Sequence, residues 1–184
     1  MSAERAMTRQ GIHSGVVIVA MLGVTYGLKR HYSTANPEAL QWILAPTAWL
    51  VEAVFGEPFL FEQHVGYVNE HLRFAIAPSC AGVNFMIIAI CTAALGFVGQ
   101  MRTLPGKLAL LFTSVALAYV VTIAVNAARI VIALLLQAHP VSIAGLSSGQ
   151  IHHAEGIVVY FTSLCCLYLL ADCLLARART KAAP

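Results

Sequence analysis

Residues 108–126 read LALLFTSVALAYVVTIAVN. The stretch holds no charged side chain. As a helix rising 1.5 Å per residue it is about 28 Å long, close to the roughly 30 Å hydrocarbon core of a bilayer. Two further runs read the same way. Residues 83–99 are VNFMIIAICTAALGFVG, and residues 157–175 are IVVYFTSLCCLYLLADCLL, marred only by Asp172. A chain with three such runs is an integral membrane protein, and lipid-spanning segments of this length are helical because the backbone must satisfy its own hydrogen bonds.

Two weaker runs precede these. Residues 11–28 (GIHSGVVIVAMLGVTYGL) are uncharged and lie between Arg5 and Arg9 on one side and Lys29 and Arg30 on the other. Ser33-x-Ala35 mimics a signal-peptide cleavage site. Four polar or bulky residues separate it from the apolar run, so the segment reads as an uncleaved anchor. Residues 39–56 (ALQWILAPTAWLVEAVFG) are short and interrupted by Pro46 and Glu52; they cross, re-enter or lie at the interface. The expected fold is all-α: a polytopic membrane bundle of about 4–6 spans, in a single domain over 1–184.

Composition agrees. The 184 residues are 59% hydrophobic and 10% charged, against about 45–50% and 25% in soluble domains. A net charge of +3 without a basic stripe argues against nucleic-acid binding. In a membrane protein, basic residues mark cytoplasmic loops. Arg102 and Lys107, and then Arg177, Arg179 and Lys181, place two loops inside. Residues 57–82 and 127–156 then face the other side. The N-terminus stays undecided. If 39–56 crosses, Lys29 and Arg30 are inside; if it does not, Arg5 and Arg9 are.

Segment 57–79 changes character. Leu72, Phe74 and Ile76 alternate with Arg73, Ala75 and Ala77, and Gly66 and Asn69 are available for turns. A small extracytoplasmic β-hairpin is expected.

Of five cysteines, Cys91, Cys165, Cys166 and Cys173 fall inside the spans, where a thiol packs as a small hydrophobe. Cys80 alone is extramembrane. It sits in Pro78-Ser79-Cys80-Ala81-Gly82, just before an apolar helix whose N-terminus offers partial positive charge and N–H groups able to hold an oxyanion. It is a candidate nucleophile; the plain alternative is an incidental loop cysteine. Arg129 stands in Asn126-Ala127-Ala128-Arg129-Ile130. If its helix starts near Leu108, Arg129 lies about 32 Å along it, at the outer interface, with Asn126 one turn below. It either snorkels to headgroups or has a function. His152 and His153, in Gln150-Ile151-His152-His153-Ala154-Glu155-Gly156, reach the same face, either as a polar cap or as a general acid/base. Cysteine with histidine suits acyl transfer, and an arginine suits a developing oxyanion or a carboxylate.

The order Cys80-Ala81-Gly82 with Asn84-Phe85, then Asn126-x-x-Arg129-Ile130, then His152-x-x-x-Gly156, resembles the exosortase/archaeosortase family, in particular its compact K type. The resemblance covers about residues 39–175. It implies a membrane cysteine peptidase or transpeptidase of the cytoplasmic membrane. Such an enzyme cleaves C-terminal, PEP-CTERM-like sorting signals of exported proteins at the outer face: a motif, a hydrophobic helix and a basic tail. By the same resemblance Cys80 is the nucleophile, Arg129 the stabilising cation and His152 the acid/base. His153 is the runner-up, and Asn84 and Asn126 are supporting residues. Ala81 stands where many members have serine. No metal or organic cofactor is implied, and the partners are membrane lipids and exported proteins, not nucleic acid. The rival readings are a non-enzymatic membrane assembly protein and a haem- or quinone-binding protein. The haem reading wants a facing histidine inside another span, and His64, His71 and His139 are all in loops.

Overall fold

The computed structural model describes residues 2–101, 103–138 and 148–182. The element order is α1 (Ser2–Tyr32), α2 (Gln41–Phe55), β1 (Leu60–Glu62), β2 (Gly66–Asn69), β3 (Phe74–Ile76), α3 (Val83–Phe97), α4 (Leu104–Ala138) and α5 (Ser148–Ala182). Pro78–Gln100, Leu104–Ala138 and His153–Arg177 are long and apolar enough to cross a membrane. Their outward faces carry Ile88, Phe112, Val120, Phe161 and Leu169, all exposed, as expected of helices whose solvent is lipid.

The uncharged run 11–28 lies within α1, which packs on α3 with Met21 and Thr25 buried. Thr25 returns its hydroxyl to the Met21 carbonyl at 3.0 Å, so the buried polar group is satisfied within its own helix. Val17 and Met21 face Ala94 and Lys107, whereas Lys29 and Tyr32 share a cleft with Pro78 and Ser79. Helix α1 therefore runs antiparallel to α3 and ends beside Cys80.

Helix α2 is not among the helices long enough to cross. Its 15 residues span about 22 Å, short of the hydrocarbon core. Both of its ends stay with the Cys80 end of the molecule. Leu40, just before it, lines the same cleft as Pro78. Glu52, in its last turn, accepts the N–H of Phe59 at 2.8 Å at the approach to the sheet. Helix α2 packs along α4, joining Ile43, Leu44, Ala48 and Val51 to Ala127, Ile130 and Leu134. Past Arg129 the apolar run is thus buried by protein on one side, at Ile130, Ala133 and Leu134, while Ile132 and Leu135 stay exposed. Pro46 has no N–H to give the Trp42 carbonyl one turn earlier. The Tyr119 hydroxyl donates to that carbonyl instead, at 2.8 Å, and the two rings stack. With α2 excluded as a span, Arg5 and Arg9 fall at the same end as Lys107, and Lys29 and Arg30 at the end of Cys80.

The expected hairpin is a three-stranded antiparallel sheet in the order β1-β2-β3. Tyr67 stands opposite both Phe61 and Ile76. Asn69 makes the second turn by accepting Leu72 N–H at 2.7 Å and donating to the Pro58 carbonyl at 2.8 Å. Phe59 and Ile76 are buried against the helices. The strands are only three or four residues long, which leaves little alternation to read, so the middle strand β2, whose ends Gly66 and Asn69 read as turn residues, escapes the sequence.

Candidate active site

Cys80 ends a tight turn over Pro78–Cys80. Its N–H donates to the Ala77 carbonyl at 2.8 Å, and Ala81 N–H donates to the Pro78 carbonyl at 3.1 Å. These two amides are spent in the turn, so the oxyanion donors expected at this helix start do not include them. Gly82 then reverses the chain into α3 with φ +70, a conformation that favours glycine. The glycine is also required by space. A Cβ there would stand 3.1 Å from Thr122 Cγ2 and 3.3 Å from Asn126 Cγ. The Cys80 turn is thus pressed onto α4.

Asn126 holds it there. The side chain is 0% exposed. Its Nδ2 donates to the Cys80 carbonyl, and its Oδ1 accepts the Tyr160 hydroxyl at 2.8 Å. The orientation is forced: a carbonyl only accepts, so the amide must turn Nδ2 toward Cys80, and Tyr160 must donate to the remaining oxygen. One buried side chain thereby joins the Cys80 turn, α4 and α5.

Arg129 stands one turn beyond Asn126 but is not an exposed interfacial arginine. Helix α4 starts at Leu104 rather than Leu108, and the Arg129 side chain is only 13% exposed. Its Nε lies 3.9 Å from Glu155 Oε2, whose side chain is 7% exposed. Its guanidinium sits 5.4 Å from the Tyr160 ring centroid. The other neighbour of that ring is Phe85, stacked at 5.1 Å. Tyr160 interacts electrostatically with Arg129, Cys80 and Glu155. The backbone of α5 approaches Arg129 at Gly156, where any side chain would collide with the guanidinium.

His152 lies on α5 one turn before Gly156, but its side chain is outside the described residues. His153 is exposed. Asn84 is exposed too and lines the cleft rather than the Asn126 network. Cys165, Cys166 and Cys173, expected to pack inside the bundle, are exposed on α5, and Cys91 is half-buried. The reason is that α5 packs chiefly on α3 and α4 and leaves most of its surface outward. Among the described residues, no group of three or more His, Cys, Asp or Glu could hold a metal ion.

A cleft of about 680 Å³ opens next to this array. Pro78, Ser79, Gly82 and Tyr160 form its inner wall, and Ile88, Ile157, Phe161 and Leu164 its apolar flank. Tyr160 and Glu155 are the residues that sequence reasoning missed. A tyrosine at i+4 from Gly156 and i+8 from His152 shares their helix face, and that was the available signal.

The transmembrane exosortase family model matches residues 8–169. No curated protein and no solved structure matches the chain.

Proposed function

This chain belongs to the transmembrane exosortase family, and we propose that it is a cysteine peptidase or transpeptidase acting on C-terminal, PEP-CTERM-like sorting signals of exported proteins. The observation that carries the reading is the meeting of the Cys80 turn with the linked side chains of Asn126, Tyr160 and Arg129 beside a cleft that Pro78, Ser79, Gly82 and Tyr160 line.

The sulfur of Cys80 attacks the carbonyl carbon of the scissile peptide bond, and His152 takes the thiol proton. Arg129 stabilises the oxyanion of the tetrahedral intermediate. Its partial burial strengthens that interaction relative to water. The two turn amides at Cys80 and Ala81 are already engaged, so the guanidinium acts together with the N–H groups at the start of α3. His152 gives its proton to the leaving amine as the C–N bond breaks. The thioester then passes to water or to an amine acceptor. The family's four-residue spacing to Gly156 selects His152 over His153, and Glu155, Gly156 and Tyr160, which follow on the same helix, are positions of α5 that meet Arg129. The apolar flank of the cleft suits the hydrophobic helix that follows the scissile motif.

The active face is extracytoplasmic, with the cytoplasmic membrane as the host. By their positions along the helices, Arg5 and Arg9 on α1, Lys107 on α4 and Arg177, Arg179 and Lys181 on α5 stand at the end opposite Cys80, whereas Lys29, Arg30, Arg73 and Arg129 lie at the Cys80 end. That excess supports the end opposite Cys80 as cytoplasmic.

The test is co-expression with an exported reporter protein that ends in a short motif, a hydrophobic helix and a basic tail taken from the source genome. A downward size shift that disappears in Cys80→Ser supports the reading. An unprocessed reporter with wild-type enzyme, or full processing with Cys80→Ser, overturns it.

A further inference from the structure

Tyr160 carries no role in the reaction as derived above, yet it meets Arg129 directly and the Cys80 turn through Asn126. Its hydroxyl donates to Asn126 Oδ1 at 2.8 Å, and Asn126 Nδ2 donates to the Cys80 carbonyl. Its ring lies between Phe85, stacked at 5.1 Å, and the Arg129 guanidinium at 5.4 Å. Its edge lines the cleft. We propose that Tyr160 is the positioning residue of this site: its hydroxyl fixes the amide that holds the Cys80 turn, and its ring seats Arg129, so that one side chain sets nucleophile and cation on a common frame.

The physical argument has three parts. First, an asparagine amide in a buried site has two orientations related by a flip, and only one presents Nδ2 to the Cys80 carbonyl. The Cys80 carbonyl, which only accepts, selects that orientation, and the tyrosine proton satisfies the Oδ1 that it leaves buried. Phenylalanine in its place leaves Oδ1 buried without a donor, which penalises the productive orientation. Second, the Cys80 carbonyl belongs to the residue that carries the sulfur. A hydrogen bond to it limits rotation of the whole turn, and sub-ångström placement of a nucleophile has large effects on rate. Third, a guanidinium above an aromatic face is attracted by the ring, and Arg129 also hydrogen-bonds to the Tyr160 side chain. Tyr160 therefore restrains Arg129 through both its ring and its hydroxyl. Because the proton of Tyr160 is engaged with Asn126, Tyr160 acts through Asn126 and Arg129 and not as a proton donor to substrate.

The proposal rests on Cys80 being the nucleophile, and the test separates the two. The full chain, with Cys91, Cys165, Cys166 and Cys173 replaced by alanine, is placed in lipid nanodiscs. The rate of Cys80 alkylation by iodoacetamide is measured for the parent, Tyr160→Phe, Asn126→Ala and the double variant. Each single change is expected to alter the rate at least threefold, with a thermal midpoint within a few degrees of the parent. The double variant is expected to match the more affected single, since both substitutions cut the same chain of hydrogen bonds. With the reporter titrated in the same nanodiscs, Tyr160→Phe is expected to lower the maximal processing rate at least tenfold and leave the half-saturating reporter concentration unchanged. Phe85→Leu, which removes the stacking partner but no hydrogen bond, is expected to leave alkylation within twofold.

Effects that multiply in the double variant overturn the proposal. So does a loss in Tyr160→Phe that appears wholly in the half-saturating concentration, which makes Tyr160 a wall of the cleft. Alkylation reports the coupling whether or not Cys80 is catalytic; wild-type processing by Cys80→Ser overturns the nucleophile reading alone.

Discussion

Gly156 lies directly against Arg129: a Cβ on the glycine would stand 2.7 Å from the arginine Nε and 3.2 Å from Cζ. The obstructing atoms are the far end of a flexible side chain, so Gly156→Ala is relieved by moving the guanidinium rather than the helix. Alanine also favours a helix interior over glycine by roughly 0.5–1 kcal/mol. The expected outcome is unchanged or slightly raised thermal stability with processing of the reporter reduced at least tenfold. Equal losses in both would mean that α5 itself had shifted.

Gly82 presents the opposite case. Its φ of +70 is a backbone constraint, and a Cβ there would stand 3.1 Å from Cγ2 of the buried, β-branched Thr122. Alanine in a left-handed conformation costs about 1–2 kcal/mol, and here it also presses on α4. Gly82→Ala is expected to lower both the thermal midpoint and processing. Removing the opposing methyl with Thr122→Ser is expected to restore part of the stability lost. Absence of any rescue would leave the backbone conformation as the sole cause.

Arg129→Lys tests shape against charge. Lysine keeps the charge but lacks the planar fork and its stacking on Tyr160. The variant is expected to insert in the membrane at wild-type level and to lose most processing, measured by reporter size shift against membrane abundance. Near wild-type processing would reduce Arg129 to a point charge.

His152→Ala is expected to lower processing by about 10²–10⁴, the usual cost of losing a general acid/base. His153→Ala, at an exposed position, is expected to stay within a few-fold of wild type. A reversed pattern in the same reporter assay would transfer the role to His153.

The five thiols separate by compartment. Cys80 is half-buried beside the cleft, while Cys165, Cys166 and Cys173 are exposed on the membrane-crossing part of α5. A membrane-impermeant maleimide applied to intact spheroplasts is expected to label Cys80 alone. A membrane-permeant maleimide is expected to add the α5 thiols. Impermeant labelling that persists in Cys80→Ser would invert the topology.

The spans and the order of the reactive residues were legible from residues in sequence. Hydropathy is a local property, and a cysteine beside proline and glycine, or an arginine inside an apolar run, stands out without knowledge of its neighbours. The short sheet was partly legible, through Gly66, Asn69 and the alternation ending at Ile76.

Tertiary structure decided what depends on partners. The run 39–56 looked like a weak span because it is a helix buried by protein instead of lipid: α2 packs along α4, with Glu52 facing the Phe59 amide and Tyr119 supplying the donor that Pro46 lacks. The direction of α1 followed from which residues lie beside Pro78 and which beside Lys107. Arg129 read as an interfacial cation because nothing in its own helix reveals that Glu155, Gly156 and Tyr160 of α5 surround it. Periodicity along one helix gives the face on which a residue stands, but only packing selects what meets that face. For a tyrosine in an apolar run, that is the difference between a lipid-facing ring and the link between Asn126 and Arg129.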